Sequence, residues 1–293
     1  MTIDKLIKDF SIHKINIDGR SKKSIDIYIK NFHEFCEDMN INTYEQLLSV
    51  NAQTIKDWLV GLAEKGNSNS TRNNKLSAIK QIFLFLENEK EELVDRKISR
   101  LNYAKTPYKE SKYIDEELAL QLISATKNQR TKCAIILIVK TGVRFQELMQ
   151  ITCSDIERGY TTIIGKGNKE RTIWFAPIVI NLCNNFINGK RKKIVEKTKV
   201  ETDLLLISNN GTPMTRQSFS KSLKNLAEDI GLYWSDEVSP HKLRHGCITD
   251  ALKDGVPINV VRDMVGHSNM YTTNRYAHTQ ENQIKNAMLR AEN

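Results

Sequence analysis

Apolar side chains in the first third of the chain recur at helical spacing. Ile25, Ile29, Phe32, Phe35 and Met39 step by four, three, three and four positions, which places them on one face of a helix, with Lys22, Lys23 and Lys30 elsewhere on it. Trp58, Leu59 and Leu62 mark a further short helix that Gly66 ends. Ser68-Asn69-Ser70-Thr71 is a cluster of good N-caps, and Leu76, Ile79, Phe83 and Leu86 follow it at helical spacing. This part reads as a helical bundle. From Lys97 to Tyr113 the periodicity is lost: Arg96, Lys97, Arg100, Lys105, Lys109 and Lys112 sit among small and polar residues around Pro107. The expectation is a linker over 97–113 between a domain at 1–96 and another at 114–293. Fully extended, such a linker would reach about 55 Å.

The second half opens with a helix from Asp115 and an apolar run from Cys133 to Val139. Thr141-Gly142 breaks that run, and a new helix begins near Arg144. Thr161-Thr162-Ile163-Ile164 and Arg171-Thr172-Ile173-Trp174-Phe175 flank the glycine-rich Gly165-Lys166-Gly167-Asn168-Lys169, the pattern of a β-hairpin. From Arg216 onward the pattern is helical again. The expected fold is therefore mainly α, with a small β-hairpin or sheet in the second of two domains.

Composition narrows the classes. A chain of 293 residues exceeds one typical domain, and 40% hydrophobic residues suffice for real cores. The longest apolar run is too short to span a bilayer, so no membrane association is expected. The opening Met1-Thr2-Ile3-Asp4-Lys5 alternates charge with apolar residues, unlike a signal peptide. Five scattered cysteines without a CxxC pair argue against a disulfide framework or a zinc knuckle and favour a reducing, cytoplasmic setting. The net charge is +9, of which +7 falls in residues 111–293. Such a balance suits nucleic acid or another anionic surface. Thr71, Arg72, Asn73 and Lys75, in the opening turn of a helix, suit DNA phosphates; a solvated face is the alternative.

Candidate chemistry concentrates in the second half. In Ser239-Pro240-His241-Lys242-Leu243-Arg244-His245, serine is a good N-cap and proline belongs at the first helical position. His241 then falls in the first turn, with Arg244 and His245 three and four residues on, along one side. An imidazole and a guanidinium there form an anion site. His-x-x-x-His is also a zinc spacing, but Lys242 stands where a metalloprotease has glutamate. Val265-Gly266-His267-Ser268 and Tyr276 mean little alone. Arg144 has a plain alternative as partner of Glu147 or Asp155, and Lys166 as an ordinary turn lysine.

Their order carries more than any one of them. Thr141-Gly142-Val143-Arg144-Phe145-Gln146-Glu147-Leu148, then Gly165-Lys166-Gly167-Asn168-Lys169-Glu170-Arg171, His241-x-x-Arg244-His245, Gly266-His267 and Tyr276 together resemble the tyrosine recombinase (phage integrase) family. The likeness covers residues 111–293, and Ser70 to Leu86 is similar to the family's N-terminal core-binding domain. Length and layout are nearest to Xer-type and mobile-element enzymes that lack an arm-binding domain. Phe145 and Gly246-Cys247 depart from the family pattern without touching a catalytic position.

The resemblance implies a C-shaped, two-domain clamp on DNA and a site-specific recombinase. Tyr276 would be the nucleophile of a 3′-phosphotyrosyl intermediate. Arg144, Arg244 and His267 would stabilise the non-bridging oxygens, Lys166 would protonate the leaving 5′-oxygen, and His241 would assist proton transfer at the tyrosine. Glu147, Asp155 and His245 would hold these groups in place. No metal, ATP or other cofactor is expected, since the cationic side chains supply the charge that Mg²⁺ supplies elsewhere. The implied partners are double-stranded recombination sites, further copies of the chain in a homotetramer joined through the stripe Ile284, Met288 and Leu289, and accessory proteins. A Holliday junction would link the two strand exchanges. A DNA-binding regulator of this fold, a type IB topoisomerase and a zinc hydrolase built on His241 and His245 remain as rival readings.

Overall fold

The computed structural model describes residues 1–106, 112–164 and 170–266. The chain divides into two compact units, Met1–Glu110 and Ser111–Asn293. Unit one holds helices α1 (Ile3–Asn16), α2 (Lys22–Asp38), α3 (Tyr44–Leu48), α4 (Ala52–Glu64) and α5 (Asn69–Glu89). Ile25, Phe32 and Phe35 of α2 are buried, with Ile29 and Met39 packed at the edge of the same core. Trp58 and Leu62 of α4 and Leu76, Ile79, Phe83 and Leu86 of α5 complete it. Ser68 caps α5 by accepting from Thr71 N at 3.2 Å, and Gly66 follows α4 at φ +81°, the left-handed conformation that ends a helix cheaply only with glycine.

The stretch read as a linker is in large part docked. Ile98 is fully buried and Leu101 packs beside it in the core of unit one. Lys80 donates to the carbonyl of Leu101. The Asn73 amide donates to Ala104 O at 2.9 Å and accepts from Ala104 N at 2.8 Å, while Asn69 donates to Lys105 O at 2.7 Å. On the other side, Ile114 is buried in the core of unit two and donates to Lys242 O at 3.2 Å. Two isolated apolar residues among polar ones give no periodicity, which is why the sequence hides this docking.

Unit two holds α6 (Glu116–Ala125), α7 (Gln129–Thr141), α8 (Phe145–Leu148), α9 (Cys153–Arg158), the strands β1 (Tyr160–Ile164) and β2 (Glu170–Trp174), and then α10 (Pro177–Phe186), α11 (Lys192–Thr198), α12 (Arg216–Asp229), α13 (Pro240–Lys253) and α14 (Ile258–Val265). Among the described residues the architecture is mainly α with one two-stranded antiparallel sheet, as the sequence predicts. Ile163 faces Arg171 and Ile164 faces Glu170 in the ladder. The apolar run Cys133–Val139 is α7, buried all round and packed against α6, α10 and α13. A helix apolar on every face belongs at the centre of a domain. No helix of the described residues is long and apolar enough to cross a membrane.

Candidate active site

The site is built where the C-terminus of α7 meets α8, β2, α13 and the end of α14. Gly142 ends α7 at φ +65°, and a Cβ on it would lie 2.8 Å from Cγ1 of Val265. Glycine is therefore required both by the backbone and by the neighbour. The chain turns at once into α8, with Arg144 as its N-cap. Glu147, three residues on, reaches back: its Oε2 accepts from Arg144 N at 2.7 Å and its Oε1 from Arg144 Nη1 at 2.9 Å. This is the carboxylate half of a capping box, and it fixes the arginine at the start of the helix.

Two more guanidiniums converge on the same carboxylate. Arg171 Nη2 of β2 donates to Glu147 Oε2 at 2.7 Å, and Arg244 Nη1 of α13 lies 3.9 Å from that oxygen. Arg244 is buried, donating to the carbonyl of Gly142 and to Val265 O at 2.8 Å. Arg144 Nη2 donates to Gly266 O at 2.8 Å. Carbonyls of the turns at both helix ends thus orient the arginines. Gly266 itself sits at φ +66°, and a Cβ there would lie 2.7 Å from Arg171 Nη1.

Three positive groups thus share one negative partner among the described residues. Burial alone would raise the Glu147 carboxyl, yet the hydrogen bonds from Arg171 and Arg144 prevail and hold it below the ordinary glutamate value. Burial, with Arg144 nearby, pulls Arg244 down to about 10, so it stays cationic at neutral pH. Arg144 keeps 42% of its side chain exposed. Guanidiniums crowded around too little negative charge suit a phosphodiester that brings its own.

His241 is exposed in the first turn of α13, behind Pro240 at the first helical position. Protein crowding and the cations Arg244, Arg216, Lys242 and Arg144 push its imidazole below the ordinary value, which favours the neutral base. Ser239 stands at the N-cap as expected but makes no side-chain capping bond. His245 lies edge-on to His241, ring centroids 6.4 Å apart, and stacks on Tyr113 at 5.7 Å.

Other expected positions fall differently. Asp155 does not bond Arg144 among the described residues: it caps α9 by accepting from Thr152 N at 2.9 Å and pairs with Arg158. In unit one, Thr71 Oγ1 lies 3.0 Å from Ser68 Oγ. Arg72 donates to Asn69 Oδ1 at 2.5 Å, Asn73 holds Ala104, and Lys75 is buried against Glu34. Asn73 and Lys75 are thus spent within their own domain, while Thr71 stays exposed and Arg72 half-buried at the α5 N-terminus. Lys166, His267 and Tyr276, and the stripe Ile284, Met288 and Leu289, lie outside the described residues. Among the described residues no group of three or more His, Cys, Asp or Glu is placed to hold a metal.

Two site residues were not singled out from the sequence. One is Arg171, which shares its strand face with the buried Ile173; an arginine at an inward strand position is the signal that was there to read. The other is Gly246, where a Cβ would lie 1.7 Å from Ile114 O. That glycine lets the entering chain lie directly on α13.

Comparison with known proteins gives matches over each of the two units. The family model described as "Phage integrase family" matches residues 112–283, and "Phage integrase, N-terminal SAM-like domain" matches residues 7–90. A tyrosine recombinase XerD from Staphylococcus haemolyticus is 30% identical, covering 97% of this chain and 95% of its own. A tyrosine recombinase XerC from Bacillus subtilis is 27% identical, covering 89% and 86%. Among solved structures, the XerH site-specific recombinase bound to difH substrate aligns at a TM-score of 0.71 and 20% identity over 97% of this chain and 83% of that one. The Tn1549 transposon integrase in complex with circular intermediate DNA aligns at 0.72 and 19%, over 94% and 95%. These two likenesses speak to the fold.

Proposed function

Because the chain belongs to the phage integrase family, whose model covers residues 112–283, we propose that it is a site-specific DNA recombinase. It cleaves and rejoins strands at double-stranded recombination sites, in integration, excision or resolution of DNA. The observation that best supports this reading is the trio Arg144, Arg171 and Arg244 around the carboxylate of Glu147.

In this reading the Tyr276 oxygen attacks phosphorus and the bond to the 5′-oxygen breaks, leaving a 3′-phosphotyrosyl link and a free 5′-hydroxyl. His241 takes up the tyrosine proton, and Lys166 gives one to the departing oxygen. Arg144, Arg244 and His267 stabilise the charge on the non-bridging oxygens. Attack by a 5′-hydroxyl from the partner site reverses the step and makes one arm of a Holliday junction. One phosphodiester is exchanged for another, so neither ATP nor a metal is required. Thr71 and Arg72 extend the grip on the duplex from unit one, with Asn73 and Lys75 supporting that turn from within. The working assembly is a homotetramer on two sites, joined through Ile284, Met288 and Leu289 and open to accessory proteins, in the cytoplasm.

The type IB topoisomerase reading shares the nucleophile but is not favoured, because the curated relatives matched over most of the chain carry recombinase names. Duplexes captured covalently by the protein from a random-core library supply the test. Two copies placed in one plasmid should recombine in excess EDTA without nucleotide. Relaxation of any supercoiled plasmid, with no exchange between the matched sites, would move the assignment to a topoisomerase.

A further inference from the structure

Arg171 makes an ion pair that its position in a hairpin does not require. Its Nη2 donates to Glu147 Oε2 at 2.7 Å, with both side chains nearly out of solvent at 12% and 11% exposure. That oxygen also accepts from Arg144 N at 2.7 Å and faces Arg244 Nη1 at 3.9 Å. The second oxygen is taken by Arg144 Nη1. Arg171 thus occupies the carboxylate position that Arg244 would otherwise approach.

The arrangement is specific. The Arg171 guanidinium lies so close to Gly266 that no Cβ fits between them, and Gly266 O receives Arg144 Nη2 at 2.8 Å. Its own Nε is buried with no hydrogen-bond partner among the described residues. A buried donor left unpaired costs stability, so bulk stabilisation is a poor account of this residue. A contact that keeps Glu147 from drawing Arg244 inward is a better one.

We propose that Arg171 is a positioning residue for strand cleavage, acting through Glu147 to set Arg144 and Arg244 for the scissile phosphate. The proposal rests on the recombinase reading. Without Arg171, Glu147 closes on Arg244 and pulls it from the phosphate. A displacement of about 1 Å at a reacting centre slows chemistry far more than it weakens binding. Lysine retains the charge but not the planar fork, so it restores only part of the function.

The test uses the full chain and, as probe, a nicked form of the duplex captured by the unmutated protein. The first-order rate of covalent adduct formation is measured at saturating protein, together with the half-saturating concentration. Arg171→Gln should lower the rate on the order of 10–100-fold and leave half-saturation nearly unchanged. Arg171→Lys should fall between that variant and the unmutated protein. Arg171→Gln combined with Glu147→Gln should be no slower than Glu147→Gln alone, because both changes act on one route. Losses that multiply in the double variant, or an unchanged rate in Arg171→Gln, would overturn the proposal. Should Arg171→Gln fail to fold, Arg171→Lys decides alone: full activity there overturns it. If the unmutated protein captures no duplex, the recombinase reading falls first; if it does and Arg171→Gln cleaves as fast, only the proposal falls.

Discussion

Glu147 holds Arg144 by both its backbone and its side chain, through Oε2 to the amide at 2.7 Å and Oε1 to Nη1 at 2.9 Å. The arginine is thereby fixed in register with the turn that leaves α7. Glu147→Gln keeps the shape and removes the charge, leaving three guanidiniums around a neutral amide. Removing one partner of a largely buried ion pair costs about 3 kcal/mol. A lower urea midpoint, with a normal unfolding slope, is the expected result.

The same carboxylate sets an acid limit. Its folded value lies below the ordinary one near 4.5, so its contribution is fully present above that pH. It is lost as pH falls through the folded value. The unmutated protein should therefore lose stability relative to Glu147→Gln as pH drops below about 4.5, narrowing the gap between them. Urea midpoints of both proteins from pH 7 to pH 3 give the comparison; a constant gap contradicts the assignment.

Gly246 concerns the fold more than the chemistry. Its helix face is covered by the carbonyl of Ile114, 1.7 Å from where a Cβ would stand. Backbone must move to admit alanine, and overpacking of this kind costs about 3 kcal/mol. Gly246→Ala should lower the melting temperature of unit two by roughly 6–12 °C. Alanine is the better helix former, so an unchanged melting temperature would mean that the entering chain is not pinned there.

The sequence disclosed much of this, for definite physical reasons. Ile25 to Met39 mark α2 because its buried stripe repeats at helical spacing. Thr141-Gly142 marks the end of α7 because only glycine ends it at φ +65° next to Val265. Hairpin and α13 are equally visible, from alternation in one case and Ser239-Pro240 in the other. What stayed hidden depends on distance in space. Nothing local tells that Asn73 is spent on Ala104, or that Ile98 and Leu101 anchor a stretch rich in lysine and arginine. Nearness in sequence offers Asp155 as a partner for Arg144; in the fold it serves α9 instead. Arg171 reads as a strand residue; its partner Glu147 lies on another element, 24 positions away.

His241 gives a pH signature. Its imidazole is held below the ordinary value of 6.5 by crowding and by neighbouring cations, so the neutral form persists to lower pH than for a free histidine. If it accepts the tyrosine proton, cleavage should keep its rate from pH 8 down to 6.5 and decline only below that. His241→Gln should remove the decline and slow cleavage on the order of 10²-fold. A single-turnover pH series on the captured duplex checks both; a midpoint above 6.5 would assign the titration to another group.

The central claim is covalent chemistry at Tyr276, and one measurement meets it directly. A nick just 3′ of the scissile phosphate lets the short strand with the new 5′-hydroxyl diffuse away once cleaved, so each cleavage event is trapped as protein bound to DNA through the 3′-phosphate. The unmutated chain should give an adduct that survives denaturing electrophoresis, with the label on the peptide containing Tyr276. Tyr276→Phe should still shift the duplex on a native gel and give no adduct. An adduct of undiminished yield from Tyr276→Phe, or a label on another peptide, would contradict the account.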